Sequence, residues 1–413
     1  MIESLFKQES TRIRLRSGPL SSYLPGIAGA LQQEQYPAER IRQYVRVAEG
    51  LGRWLDQEEL NLAEMDEATV TRYRNSLVRR KNGQLCAAGR GLPKLLMLLR
   101  DQHAIREPGI RARTEDQLLL EAYSEHLENA TGLAPGTRAR YLRYAGALIA
   151  AISSSSPFDV VTITPGAIVD FVRECAAKLK PSGCAAPTTA IRSFLRFLVT
   201  RRGLAPGLVD AVPRIRQWKQ QAIPKHLSAE QVDGALATCD EKSLAGLRDR
   251  AILLLLYRLA LRAGEVGHLR LSDIDWTDGS LRVHCAKSAR ERRLPLPGDV
   301  GQALEVYLRK GRPTSAEPYV FLRTRAPFSP LTGSTTVSCL AKRHLKLAGI
   351  SIRGLSAHAF RHTAATQMVR RGASFKQVAD TLGHRLLETT AIYAKLDEDT
   401  LQRVALPWPG GQA

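Results

Sequence analysis

The sequence lacks the features that mark membrane-bound or secreted chains. Its apolar runs, such as Ala251 to Tyr257 and Ala145 to Ile152, fall far short of the roughly 20 residues that carry a helix across a bilayer. The opening MIESLFKQESTRIRLR scatters charge where an export signal needs an unbroken apolar core. Cysteine is sparse: Cys86, Cys175, Cys184, Cys239, Cys285 and Cys339 are spread over 413 residues with no C-x-x-C pair. That excludes a disulfide framework and predicts reduced thiols in a cytoplasmic protein. Acid is in short supply too, since 40 Asp and Glu face 60 Lys and Arg, for a net charge of +20. Such a balance says nothing of the fold, but it directs partners toward polyanions; with the membrane set aside, nucleic acid leads. The 44% hydrophobic content is that of a globular chain, so general disorder is excluded.

Length predicts two to four domains. The first 205 or so residues read as short amphipathic helices, and two stretches match: YVRVAEGL from Tyr44 and YLRYAGAL from Tyr141 share Tyr, Arg, Ala and Leu at equivalent positions. Farther on, Ala68 to Val78 aligns with Gly166 to Ala176 after a one-residue gap. A duplicated helical module of roughly 100 residues accounts for this; two unrelated bundles of like composition are the alternative. The modules carry basic clusters, Arg72, Arg74, Arg79, Arg80 and Lys81 in one and Arg138, Arg140, Arg143, Arg192, Arg201 and Arg202 in the other. Taken singly, such charges are usually solvated faces. A Pro-interrupted basic linker with Arg214, Arg216 and Lys219 then leads to a last domain, where Ser228 and Gln231 form a capping-box pattern. There helical periodicity is interrupted by SLRVHCAKSARERRLPLP, which alternates like two strands around a break at Ser288 to Glu291. Helical periodicity returns through Val300 to Lys310 and persists from Ser356 to the end. The expected class is mainly α with a small antiparallel sheet.

Four segments of this domain hold what a phosphoryl-transfer site needs. Arg262 and Glu265 are spaced so that the carboxylate can hold the guanidinium. They follow an apolar run that reads as buried, where a charge needs a partner or a ligand. In the hairpin, Lys287 enters the turn with Arg290, Arg292 and Arg293 behind it. His358, Arg361 and His362 fall together at a helix start, where backbone N–H groups and the dipole favour an anion. The spacing of His358 and His362 also suits zinc, but the glutamate of H-E-x-x-H is missing and Arg361 would intrude. His384 is followed nine residues on by Tyr393.

The series A-L-R-A-G-E-V, A-K-S-A-R-E-R-R-L-P-L, H-A-F-R-H, L-G-H and T-T-A-I-Y, in that order, resembles the catalytic domain of the tyrosine recombinases, the phage-integrase family. The resemblance implies a catalytic domain at 227–413, a SAM-like core-binding domain at 113–205, a linker at 206–226 and an extra N-terminal arm at 1–112. It implies that Tyr393 attacks a DNA phosphate to leave a 3′-phosphotyrosyl link, that Arg262 and Arg361 clamp its oxygens, and that Lys287 protonates the leaving 5′-oxygen. His358 would assist proton transfer at the tyrosine, His384 would bond the phosphate, and Glu265 and His362 would support the site. No metal, ATP or other cofactor is then required. The implied partner is a double-stranded recombination site, bound by a dimer and synapsed by a tetramer, with further recombinases or accessory proteins as possible helpers. The implied location is cytoplasmic, on the nucleoid. Arg138, Arg140, Arg143, Arg192, Arg214, Arg216, Lys219, Arg290 and Arg292 are the expected DNA contacts. The arm would bind DNA or protein, and the tail with Trp408 would dock on its own domain or a neighbour's. Three positions depart from the family pattern: Ala260 for Gly, Ala286-Lys287-Ser288 for G-K-G, and Phe360 for Leu. An inactive DNA-binding relative and a type IB topoisomerase are the alternative readings.

Overall fold

The computed structural model describes residues 2–77, 87–106, 113–153, 158–179, 183–215, 225–284, 291–352, 354–384 and 386–396. The chain divides into two compact units: Gly109–Gln221, and Met1–Pro108 with Ala222–Ala413.

In the second of these, the N-terminal residues form α1 (Ile2–Leu5), α2 (Glu9–Ser17), α3 (Leu24–Gln33), α4 (Ala38–Gln57), α5 (Glu67–Ser76) and α6 (Ala87–Asp101). They close around an apolar cluster that includes Leu31, Val45, Ala48, Leu51, Leu95 and Leu99. The unit Gly109–Gln221 holds α7 (Glu115–Asn129), α8 (Pro135–Ile152), α9 (Pro165–Ala177), α10 (Ala185–Arg202) and the short α11 (Gly207–Asp210). Its core includes Tyr123, Ala145, Leu148, Ile191, Phe194 and Leu198.

The likeness of the two modules extends to their caps. Asn61 caps a 3-10 turn and Asp66 caps α5, their side-chain oxygens accepting from Ala63 N and Thr69 N. Asp159 and Thr164 do the same for the turn before α9 and for α9 itself. Each supplies an acceptor to an N–H group that a helix start leaves without one. Buried Leu92, Leu95, Leu96 and Leu99 on α6 have the spacing of buried Ile191, Phe194, Leu195 and Leu198 on α10. Shared element order, caps and core register favour duplication over composition alone.

The C-terminal part starts with α12 (Ala229–Ala237), where Ser228 and Gln231 form the expected capping box. α13 (Leu244–Arg258) is buried throughout Ala251 to Tyr257, as its apolar run predicts. Then come α14 (Ala263–Gly267), β1 (Ile274–Asp275), β2 (Ser280–His284), β3 (Glu291–Pro295), α15 (Gly298–Val306) with a π turn at Tyr307–Gly311, α16 (Ser334–Leu347), α17 (Ala357–Arg370) and α18 (Phe375–Leu382). The strands form one antiparallel sheet in the order β1-β2-β3, with Val283 opposite Arg292. The fold class is mainly α with a small antiparallel sheet.

Two details differ from the sequence reading. The second strand starts at Glu291, inside the expected break, because Glu291 pairs with His284 in the ladder, where its side-chain Oε1 also lies 2.9 Å from His284 Nδ1. The helix expected from Ser356 onward is interrupted at Gly372 and Gly383, with φ of +84° and +61°; among the described residues beyond them lie 3-10 turns at Leu387–Thr389 and Ala391–Leu396. Left-handed glycines end helices in this way. No helix among the described residues is long and apolar enough to cross a membrane.

The site is held by the packing of α17 on α13. Tyr257 Oη on α13 donates to Gln367 Oε1 at 3.0 Å, and the backbone N–H of Leu227 donates to Thr363 Oγ1 at 2.7 Å.

Candidate active site

Arg262 stands at the N-cap of α14, and Glu265, three residues on, turns back to it. One carboxylate oxygen accepts from Arg262 N and the other from Arg262 Nη1, both at 2.8 Å. The same carboxylate is gripped from β3: Arg292 Nη1 reaches Oε1 at 3.1 Å and Nη2 reaches Oε2 at 2.8 Å. Burial pushes the Glu265 pKa up, yet the hydrogen bond and charge of Arg292, with those of Arg262, outweigh it and hold the group below its ordinary value. The other side of the Arg262 guanidinium donates from Nη2 to the carbonyl of Gly383 at 3.2 Å.

Arg361 is buried. Its terminal nitrogens donate to the carbonyl of Ala260 and, at 2.7 Å, to that of Leu382, the last residue of α18. Helix ends leave such carbonyls without partners, and a guanidinium supplies the donors. Ala260 is fully buried and left-handed, with φ of +50°. The family's usual glycine at this position has its physical reason in that backbone, since only glycine adopts it without steric cost. Burial lowers the Arg361 pKa to about 10, with the charge of Arg262 acting in the same direction. Three guanidiniums thus lie in the field of one carboxylate, and the surplus positive charge favours an anion.

Tyr393 lies in the last 3-10 turn with 2% of its surface open to solvent. Its hydroxyl sits 2.8 Å from Nδ1 of His362. Burial raises the tyrosine pKa, against the lowering effect of Arg361 and Arg262. Burial, followed by the charges of His358 and Arg361, lowers that of His362 to about 4. With its proton on Nε2, the neutral imidazole can accept from the phenol at Nδ1. His358 was expected to serve the tyrosine, but the ring in contact with the hydroxyl is that of His362. His358, one turn back on α17 and exposed, has its ring centroid 6.3 Å from that of His362. Desolvation lowers the His358 pKa, and so do Arg361 and Arg262. His384 Nδ1 pairs with the buried Thr390 Oγ1 at 2.8 Å; burial and the charges of Arg361 and Arg262 lower its pKa to about 4. Among the described residues no group of three His, Cys, Asp or Glu side chains is placed to hold a metal.

Lys287, Arg290, Arg216, Lys219 and the tail with Trp408 lie outside the described residues. Of the expected DNA contacts, Arg140, Arg143 and Arg214 are exposed. Arg138 pairs with Glu128. Two more of the expected contacts are engaged within the protein. Arg192 is turned inward, donating to the carbonyl of Val212 at 3.1 Å. Arg292 is mostly covered, and the Glu265 carboxylate takes both of its terminal nitrogens.

The family model for phage integrases matches residues 225–400, and that for the phage integrase N-terminal SAM-like domain matches residues 120–202. The chain is 35% identical over 397 residues to y4rA of Sinorhizobium fredii, which bears the name integrase/recombinase, with 95% of each chain covered. It is 31% identical over 293 residues to the tyrosine recombinase XerC of Pelobacter propionicus, covering 69% of this chain and 93% of XerC. The crystal structure of the XerH site-specific recombinase in a post-cleavage complex with its palindromic difH substrate shares the fold, at a TM-score of 0.56 and 17% identity, over 83% of this chain and 97% of XerH. By motif order, by relatives and by fold, the chain belongs to the phage integrase family, the tyrosine recombinases.

Proposed function

We propose that the chain is a site-specific DNA strand-exchange enzyme in which Tyr393 is the nucleophile. The observation that carries this reading is the Tyr393 hydroxyl, hydrogen-bonded to His362 and held in the field of Arg262 and Arg361. In the cleavage step the phenolic oxygen attacks phosphorus and the bond to the 5′-oxygen breaks. The phenolic proton passes to His362 Nδ1, and exposed His358 is the next group able to carry it away. Arg262 and Arg361 neutralise the non-bridging oxygens as their charge grows, and His384 adds a hydrogen bond. Lys287 supplies the proton to the departing 5′-oxygen. Rejoining is the reverse attack by a 5′-hydroxyl, so the phosphodiester's energy stays in the protein–DNA ester and no outside energy source enters.

The substrate is duplex DNA, bound by a dimer and synapsed as a tetramer, and the enzyme works on the nucleoid in the cytoplasm. Residues 113–205 and 227–413, joined by the basic linker at 206–226, would each contact the duplex. Residues 1–112, built on the plan of the SAM-like domain, would add a second DNA-binding module.

Replacing Tyr393 by Phe tests the nucleophile. On a nicked suicide substrate, covalent adducts disappear while DNA affinity changes less than about twofold, since the removed hydroxyl touches no phosphate outside the site. Adducts that survive the substitution overturn the assignment.

A further inference from the structure

Arg292 is the least expected member of the site. It arrives from β3, 27 residues after Glu265, and lays both terminal nitrogens on that carboxylate. Its side chain is 12% exposed, and its Nε is buried without a hydrogen-bond partner among the described residues. The guanidinium also lies against Gly383: a Cβ built there would stand 2.7 Å from Arg292 Nη1. Gly383 is the residue whose carbonyl receives Arg262 Nη2. Arg292 therefore touches both of the groups that orient Arg262, the carboxylate on one side and the left-handed turn on the other.

A carboxylate offers about four acceptor positions. Arg262 takes two of Glu265's with its backbone and its side chain, and Arg292 takes the others. Without Arg292 the carboxylate is free to swing and the Arg262 fork loses its fixed plane. Planarity matters because a guanidinium recognises a phosphate through paired, directed bonds.

We infer that Arg292 is a positioning residue for strand cleavage: it fixes Arg262 through Glu265 and does not itself serve as a DNA-backbone contact. The inference rests on the reading of Arg262 as the phosphate clamp.

Single-turnover adduct formation on a nicked suicide substrate, measured against DNA concentration, tests it with the full chain. Arg292→Lys keeps the charge but can reach only one oxygen, and Arg292→Met removes both charge and fork. The maximal rate falls about 10- to 100-fold in each, the loss typical when a group that orients a reacting ligand is removed, while the half-saturating DNA concentration stays within about twofold of the parent's. A second substrate carries an uncharged methylphosphonate at the scissile position, where less charge is left for Arg262 to neutralise. There the penalty of Arg292→Lys shrinks, a response that general loosening of the fold does not produce. A wild-type rate for Arg292→Lys, a loss of affinity equal to the loss of rate, or an equal penalty on both substrates overturns the inference. If Arg292→Met fails to fold, Arg292→Lys decides alone. Should Tyr393→Phe still form adducts, the underlying reading of the site fails instead, which separates the two failures.

Discussion

His362 and His384 are held neutral by their surroundings, with pKa values of about 4 against an ordinary 6.5. Between those values the unfolded chain binds protons that the folded chain refuses, so stability rises with pH across the window. Their contribution is complete above about pH 6.5 and is lost as the pH falls toward 4. His384→Gln removes one of the two groups, and its melting temperature should fall less between pH 7 and pH 4 than the parent's. Equal slopes for the two proteins would count against a buried, neutral His384. At this scale most of the site was legible, because Arg262 and Glu265, or His358 and Arg361, are close in sequence and one turn sets their relation. The Arg292–Glu265 pairing was not legible. It depends on which strand pairs with which and on the register that sets Val283 opposite Arg292. Nor was the choice of His362 over His358 at the tyrosine, which follows from where the last 3-10 turn carries Tyr393.

Glycines at the ends of helices separate backbone strain from crowding. Gly203 ends α10 with φ of +69° and nothing within 4 Å of a would-be Cβ, while Gly383 ends α18 with φ of +61° and meets Arg292. Gly203→Ala should cost about 1 kcal/mol, the strain of an L-residue in a left-handed turn. Gly383→Ala should cost about 2 kcal/mol or more and slow adduct formation besides, because Arg292 must also move. Thermal melts of both variants, with adduct rates for the second, check the contrast; equal costs would mean that Arg292 yields freely. Among elements, α13 was legible from its apolar run and α12 from its capping box. The end of the helical stretch was not. Periodicity continues past Gly383, yet the chain there follows tertiary packing around Tyr393 and Thr390, both buried, rather than its own helical preference.

Two helical modules with matched caps and matched core spacing make the N-terminal arm a candidate for the work of the SAM-like domain. Removal of residues 1–112 should weaken DNA binding, shorten the protected footprint and flatten the dependence of affinity on salt, by about one unit of log–log slope for each phosphate that the arm had neutralised. An unchanged footprint would leave the arm a packing element. The likeness of the modules was visible in the sequence through Tyr44 and Tyr141 and their neighbours, whereas the caps at Asn61 and Asp159 differ in residue type and match only in what they do. One consequence of the buried tyrosine is felt at the scale of a genome. A chain of net charge +20 meets random duplex far more often than any target and holds to it through the backbone. Grip alone cannot protect a chromosome from such a molecule. With 2% of Tyr393 open to solvent, the resting chain would keep the proposed nucleophile covered, so that landing on stray duplex need not break it.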